Sequence, residues 1–374
     1  MTIHTPHIVL AGGGTGGHLF PGLAVAEQLR ATLPEVRITM ATGNKPFEQA
    51  HVAAAGFAHL RLPSHPLTGP AGTWRFVKEN VSGYRRARRF VRLTKVSLVV
   101  GLGGYASLPM AWAATSSGIP LVLLEQNALP GRVTRWFAPR AALICAAFAE
   151  ARPHLKASGP VRVTGNPIRG GFLSAAEEIE RPASPVRQLL ILGGSGGSRT
   201  LNEQVPRALY KSRRELIGWR IVHQTGPRDC EATKALYRKL DVEAIVVPFI
   251  ERMPPVLRHT DLAICRAGGT TLAELAAAGV PALLLPWPKA ANDHQRKNAD
   301  VFAAAGAAGL LDGRDVKVRL DTAIAEQLAL IIRDSARRKN MAAAMHSLAR
   351  PNAAWHIASM ISQILSAKRE ASLA

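Results

Sequence analysis

The chain alternates between short runs of consecutive apolar residues and longer stretches in which apolar residues recur every three or four positions. HIVLA (7–11), RITMAT (37–42), HLRLP (59–63), SLVVGL (97–102), PLVLL (120–124) and ALICAAF (142–148) read as strands. The stretches 19–33 and 47–55 read as helices, and a helix is expected between each successive pair of strands. Continuous apolar strands separated by helices predict a parallel sheet covered on both faces. The pattern then restarts. QLLILGG (188–194) enters a glycine turn with a helix from about Thr200, and WRIVHQ, AIVVPF, LAIC and PALLLP supply further strands up to residue 286. Helical spacing returns over 320–334, 335–349 and 352–366, with Pro351 as a break. The prediction is α/β: two doubly wound domains, 1–164 and 165–350, with an exposed connection just after their boundary, over the charged, Pro- and Ser-containing stretch 174–187.

The 374 residues suit two domains, and 47% apolar residues exclude a disordered chain. Lys plus Arg number 47 against 26 Asp plus Glu, a net charge of +21. Such a surplus predicts an anionic partner: nucleic acid, an anionic membrane surface or a phosphorylated substrate. Cys145, Cys230 and Cys265 lie far apart in apolar surroundings, which argues against a disulfide framework or a Cys-based zinc site. No D-x-D or His/carboxylate cluster suggests a metal site. The N-terminus lacks a signal-peptide pattern, and no apolar run approaches the ~20 residues that span a bilayer. A protein that is soluble, or at most sits on a membrane face, is expected.

Three glycine-rich turns follow strands. In Gly12-Gly13-Gly14-Thr15-Gly16-Gly17-His18 the literal dinucleotide fingerprint is present, yet the second strand runs out into Ala41-Thr42-Gly43-Asn44-Lys45 without the carboxylate that would hold a ribose. What remains is close backbone approach and a helix start suited to phosphate. Gly101-Leu102-Gly103-Gly104-Tyr105 is the second turn. Gly193-Gly194-Ser195-Gly196-Gly197-Ser198 is the third, and it contains G-x-S-x-G, so a hydrolase elbow with Asp261 and His294 downstream stands as an alternative. His18 is either locally bonded or a general base, since the positive helix end favours a neutral imidazole. Glu125-Gln126-Asn127 ends a strand at the sheet edge where ligands bind, as a helix cap or as a sugar contact. Arg266 to Glu274 and Asp293 to Asn298 open two further helices.

Between Trp74 and Lys95 lie Arg75, Lys78, Arg85, Arg86, Arg88, Arg89, Arg92 and Lys95 against Glu79, interleaved with Trp74, Phe76, Val77, Val81, Tyr84, Phe90 and Val91. This is either a solvated helix with one core face or an interfacial helix for anionic lipid, with Leu67 and Trp74 as apolar contacts. No RNP, helix-turn-helix or zinc-finger signature supports nucleic-acid binding.

GGGTGGHLFPGLAVAEQL, GLGGYASLP, LLEQNALPGRVTR, VTGNPIR, LGGSGGSRTLN, HQTG, PFIERM and RAGGTTLAELAAAGVPALLLPWPKAANDHQRKNA occur in this order across nearly the whole chain. Together they resemble the MurG family of N-acetylglucosaminyltransferases of bacterial peptidoglycan synthesis, a pathway of cell shape and division. The resemblance implies a GT-B fold, two Rossmann-like domains facing across a cleft, with helix 352–374 joined to the first. It implies transfer of GlcNAc from UDP-GlcNAc to O4 of MurNAc in undecaprenyl-pyrophosphoryl-MurNAc-pentapeptide (lipid I), forming lipid II with inversion. The enzyme would be peripheral at the cytoplasmic face of the inner membrane, with other cell-wall or division proteins as further partners. UDP-GlcNAc would be a substrate, with no cofactor required. Ile250 would meet the uracil through its backbone and Glu274 the ribose. Ser195, Arg169 and the helix start Gly269, Thr270, Thr271, Leu272, Ala273 and Glu274 would hold the diphosphate region. Gln295 and Asn127 would position GlcNAc, and Thr15, Gly16 and Gly17 would line the donor. Gly13, Gly14, Gly103, Gly104 and Tyr105 would take the acceptor pyrophosphate. His18 is the candidate base, with Glu125 as runner-up. Leu67, Trp74, Arg75 and the four arginines Arg85, Arg86, Arg88 and Arg89 would dock on the membrane. Gly196 and Ser198 depart from the family, which often has Gln and Ala there. The rivals are an enzyme like the UDP-GlcNAc 2-epimerases and a basic nucleic-acid-binding protein.

Overall fold

In the computed structural model, which describes residues 5–170, 186–315 and 318–371, the chain falls into two compact units, Met1–Arg169 with Asn352–Ala374, and Gly170–Pro351. The division falls after Arg169 rather than after residue 164. Asn166 and Ile168 are buried, and the Arg169 guanidinium lies 4.5 Å over the Phe20 ring, within the first unit. Most of the expected connection 174–187 lies outside the described residues.

The first unit holds seven strands: β1 (His7–Ala11), β2 (Arg37–Thr42), β3 (Ala58–Arg61), β4 (Leu98–Gly101), β5 (Leu121–Glu125), β6 (Leu143–Ala146) and β7 (Val161–Val163). They pair in parallel in the order β3-β2-β1-β4-β5-β6-β7. Helices α1 (Gly16–Thr32), α2 (Pro46–Ala54), α3 (Thr73–Thr94), α4 (Leu108–Ser116) and α5 (Arg132–Phe137) connect them. The second unit repeats the plan with β8 (Arg187–Leu192), β9 (Trp219–Gln224), β10 (Ile245–Val247), β11 (Leu262–Cys265), β12 (Ala282–Leu284) and β13 (Ala308–Leu310), parallel in the order β10-β9-β8-β11-β12-β13. Its helices are α6 (Arg199–Lys211), α7 (Cys230–Lys239), α8 (Met253–Arg258), α9 (Gly269–Ala278), α10 (His294–Ala304), α11 (Leu320–Arg333) and α12 (Ser335–Ser347). The last helix, α13 (Ala353–Ala371), packs on α1 through the fully buried Ile357, Ala358 and Ile361.

The central strands are buried along their whole length, which is why they lack polar alternation. Sequence pattern does not mark β7 and β13. Each has only three residues, at a sheet edge and partly exposed, so neither carries a long apolar run. Between β6 and β7 the chain makes a 3-10 turn, Ala149–His154, with Pro153 inside it. Helix α1 begins at Gly16, ahead of the expected Leu19, which puts His18 inside its first turn.

Candidate active site

In each sheet the first strand lies between the second and fourth, so successive crossovers leave to opposite sides and open a crevice at the carboxyl ends of β1/β4 and β8/β11. In the first unit this brings the first two glycine turns together on His18. A Cβ on Gly103 would stand 3.1 Å from His18 Cδ2, and one on Gly104 would stand 3.4 Å from its Cε1. Glycine at these positive-φ positions (+83° and +69°) therefore makes room for the imidazole. Nδ1 of His18 lies 3.3 Å from Thr15 Oγ1. The Tyr105 ring covers Gly14 from the same side, its Cε1 3.3 Å from where a Cβ would be. Gln126 donates to the Leu102 carbonyl (2.9 Å) and holds its own buried oxygen against Gly103 without a hydrogen-bond partner.

Glu125 is not placed as a base. It is 3% exposed, and its Oε1 accepts from both the amide and the side-chain nitrogen of Asn127 (3.1 Å each). Its Oε2 accepts from the Gly131 amide (3.0 Å). Burial pushes its pKa up, while hydrogen bonds from Thr134, Gly131 and Asn127 pull against that shift. With both oxygens engaged, Glu125 organises the turn that carries Asn127.

A carboxylate does stand beneath the first turn, where the strand end predicts none. Glu48, on α2 and fully buried, accepts a hydrogen bond from the Gly14 amide, and Lys45 Nζ donates to the Gly14 carbonyl. The expected role of the Gly14 amide in gripping pyrophosphate is thereby corrected, since that amide already has an anionic partner. No sequence signal identifies Glu48, because it lies beyond the strand, among ordinary helix residues.

In the second unit the third turn is packed tightly. A Cβ on Gly193 would come within 2.6 Å of the Ser198 amide nitrogen, whereas Gly196 faces open space. Ser198 caps α6, accepting from the Leu201 amide (3.4 Å), and also accepts from Arg266 Nε (3.0 Å). Arg266, 9% exposed, further donates to the carbonyls of Leu285 (2.9 Å) and Pro286 (3.1 Å). One guanidinium thus ties the loops after β8, β11 and β12, and its burial draws its pKa down to about 10. Sequence reading passed over Arg266, and the Ser198 departure becomes intelligible through it.

Helix α9 begins at Gly269, with Thr270 and Glu274 buried and Thr271 and Ala273 partly so. Leu272 is corrected out of the site: its side chain is fully buried and its amide donates to the Gly268 carbonyl (3.0 Å). The Ile250 amide donates to Gln224 Oε1 (2.9 Å), and Gln224 Nε2 donates to the Gly194 carbonyl (3.2 Å), so backbone contact at Ile250 falls to its carbonyl. Gln295 accepts from the Trp287 amide (2.9 Å) and is left with its amide NH2 to offer a ligand. The hydrolase alternative fails on geometry. Asp261 accepts from the Gln188 amide (2.8 Å) at the amino ends of β8 and β11, the far end of the sheet from Ser195. His294 Nδ1 is 2.8 Å from the Ala291 carbonyl. Among the described residues no group of three or more His, Cys, Asp or Glu side chains could hold a metal ion.

Helix α3 turns one face to the core. Gly83 meets Pro109 of α4 closely, a Cβ there standing 2.9 Å from its Cγ, and Tyr84 stacks on Trp112 at 4.3 Å. Phe76, Tyr84 and Phe90 pack against the core. Arg75, Lys78, Arg85, Arg86, Arg88, Arg89 and Arg92 are exposed, as are Leu67, Val77 and Trp74, the last at 73%. Among the described residues no helix is long and apolar enough to cross a membrane.

Residues 8–145 match the glycosyltransferase family 28 N-terminal domain, and residues 188–357 match its C-terminal domain. The chain is 39% identical over 353 residues to the UDP-N-acetylglucosamine--N-acetylmuramyl-(pentapeptide) pyrophosphoryl-undecaprenol N-acetylglucosamine transferase of Methylococcus capsulatus, covering 94% of this chain and 96% of that one. It is 38% identical to the enzyme of the same name from Carboxydothermus hydrogenoformans, over 87% and 88% of the two chains. The crystal structure of MurG from Acinetobacter baumannii superposes with a TM-score of 0.73 at 31% identity, over 96% of this chain and 99% of that one. The chain belongs to the MurG family. It is a hexosyltransferase of GT-B fold, and the family's names favour neither the epimerase nor the nucleic-acid reading.

Proposed function

We propose that this enzyme transfers GlcNAc from UDP-GlcNAc to O4 of the MurNAc residue of lipid I, yielding lipid II, at the cytoplasmic face of the membrane. The observation that carries this reading is the His18 imidazole seated where two glycine turns of the first unit meet. His18 takes the hydroxyl proton as O4 attacks the anomeric carbon from the face opposite the departing UDP, which inverts that centre. The charge on UDP is stabilised by Ser195, Arg169 and the amides opening α9, Gly269 to Thr271. Glu274 holds the ribose hydroxyls, the Ile250 carbonyl the uracil, and Gln295 with Asn127 the sugar. The exposed arginines of α3 attract anionic lipid, and Leu67, Trp74 and Val77 supply apolar contact.

Incubation with labelled UDP-GlcNAc and a lipid I analogue should give a labelled disaccharide-lipid. Epimerisation to the ManNAc form with no transfer would overturn the reading in favour of the epimerase. Charge reversal at Arg85, Arg86, Arg88 and Arg89 should weaken binding to anionic vesicles; unchanged binding would leave this face as solvated surface.

A further inference from the structure

Glu48 is fully buried while its Oε2 has no hydrogen-bond partner among the described residues. A buried carboxylate oxygen left unpaired is costly, and a group kept at that cost calls for a reason in the site it faces. Its other oxygen takes the Gly14 amide, and Lys45, three residues earlier, takes the Gly14 carbonyl. Both polar groups of Gly14 are therefore held by one acid and one base at the start of α2. Gly13 is what lets the carboxylate reach the turn, since a Cβ there would lie 2.5 Å from Oε1. On its other side Gly14 is covered by Tyr105, at a φ of +91°. The turn so pinned leads directly into the first turn of α1, which carries His18.

We propose that Glu48 is a positioning residue for the acceptor half of the reaction: with Lys45 it clamps the first glycine turn and so fixes where His18 and the Gly103–Tyr105 turn receive the acceptor. The inference rests on the transferase reading for its use, but not for the clamp itself. It also restricts how the acceptor binds, because the Gly14 amide is occupied by Glu48 and the Gly14 carbonyl by Lys45. The pyrophosphate is then gripped at the Gly103–Tyr105 turn.

The test compares E48A, which removes the clamp, with E48Q, which keeps an oxygen for the Gly14 amide. Two readouts are taken on the full chain: amide hydrogen exchange over residues 12–18, and KM for a lipid I analogue beside KM for UDP-GlcNAc. In E48A, exchange of the turn should quicken and the acceptor KM should rise by about tenfold each, the factor one lost charge-assisted hydrogen bond supports. The KM for UDP-GlcNAc should change by less than about twofold, and E48Q should restore both readouts to within about threefold of wild type. Unchanged exchange, an unchanged acceptor KM, an equal rise in both KM values, or no rescue by E48Q would each overturn the proposal. If E48A does not fold, K45M, which frees only the Gly14 carbonyl, must show the same pattern at smaller amplitude; a flat response overturns the clamp. Wild-type protein that transfers nothing sinks the transferase reading instead, and the exchange data then decide the clamp alone.

Discussion

The glycine turns after β1 and after β8 hold the same place in their sheets, each following the strand that lies between the second and fourth. Beneath them the chemistry is opposite. The first turn rests on a buried carboxylate, Glu48, that occupies the Gly14 amide, and it leads into a helix whose first turn carries His18. The second is tied through Ser198 to a buried guanidinium, Arg266, that also gathers two carbonyls from the neighbouring loop. The difference teaches that one backbone plan can be secured in two ways: by an acid and a base, Glu48 and Lys45, that hold both polar groups of one glycine, or by a single guanidinium that ties three loops together.

The comparison can be broken most sharply at His18. His18→Ala should lower kcat by roughly 10²- to 10⁴-fold while UDP affinity is retained, because the proposed base lies on the first turn; turnover near wild type, measured with saturating donor, would remove the distinction. Arg266→Met comes next. It leaves Ser198 and two carbonyls without their donor, and should destabilise the second unit by about 2–4 kcal/mol in thermal or urea unfolding and raise the donor KM more than the acceptor KM. Equal effects on both substrates would show Arg266 to be a general support.

The third prediction concerns pH. His223 is fully buried, lies 2.9 Å from the Tyr237 hydroxyl, and has its pKa driven down to about 3 by burial, from 6.5. Between these values the unfolded chain binds a proton that the folded chain does not. Stability is therefore intact above about pH 6.5 and is lost as pH falls towards 3. Unfolding midpoints followed across this range should drop, and His223→Gln should flatten the slope. The smallest effect belongs to Ser198→Ala. It should cost about 1 kcal/mol for the lost cap of α6, read as a modest fall in unfolding midpoint with kcat preserved.

Much of the fold is legible in the chain itself. β1, β2 and β11 coincide with their apolar runs, and β8 differs from its run by a residue or two at the ends. A strand buried on both faces must be apolar throughout, and a strand-to-helix turn that packs this closely must be glycine. Those are local requirements, so local sequence displays them. His18, Thr15, Ser195 and the start of α9 lie on or just after such turns, where the local pattern predicts them. The amides of Gly14 and Ile250 are engaged by Glu48 and Gln224, partners at sequence separations of 34 and 26, which no local pattern shows.

By itself, then, the amino-acid order determined the two parallel sheets, the glycine turns and the residues those turns display, since each follows from burial or backbone conformation over a few neighbouring positions. Only the tertiary structure decided which charged group lies beneath each turn, that Glu125 spends both oxygens on its own loop, and that Leu272 belongs to the core. Hydrogen bonding and burial are settled by whichever groups the packed sheets bring within about 3 Å, and no spacing along the chain records that distance.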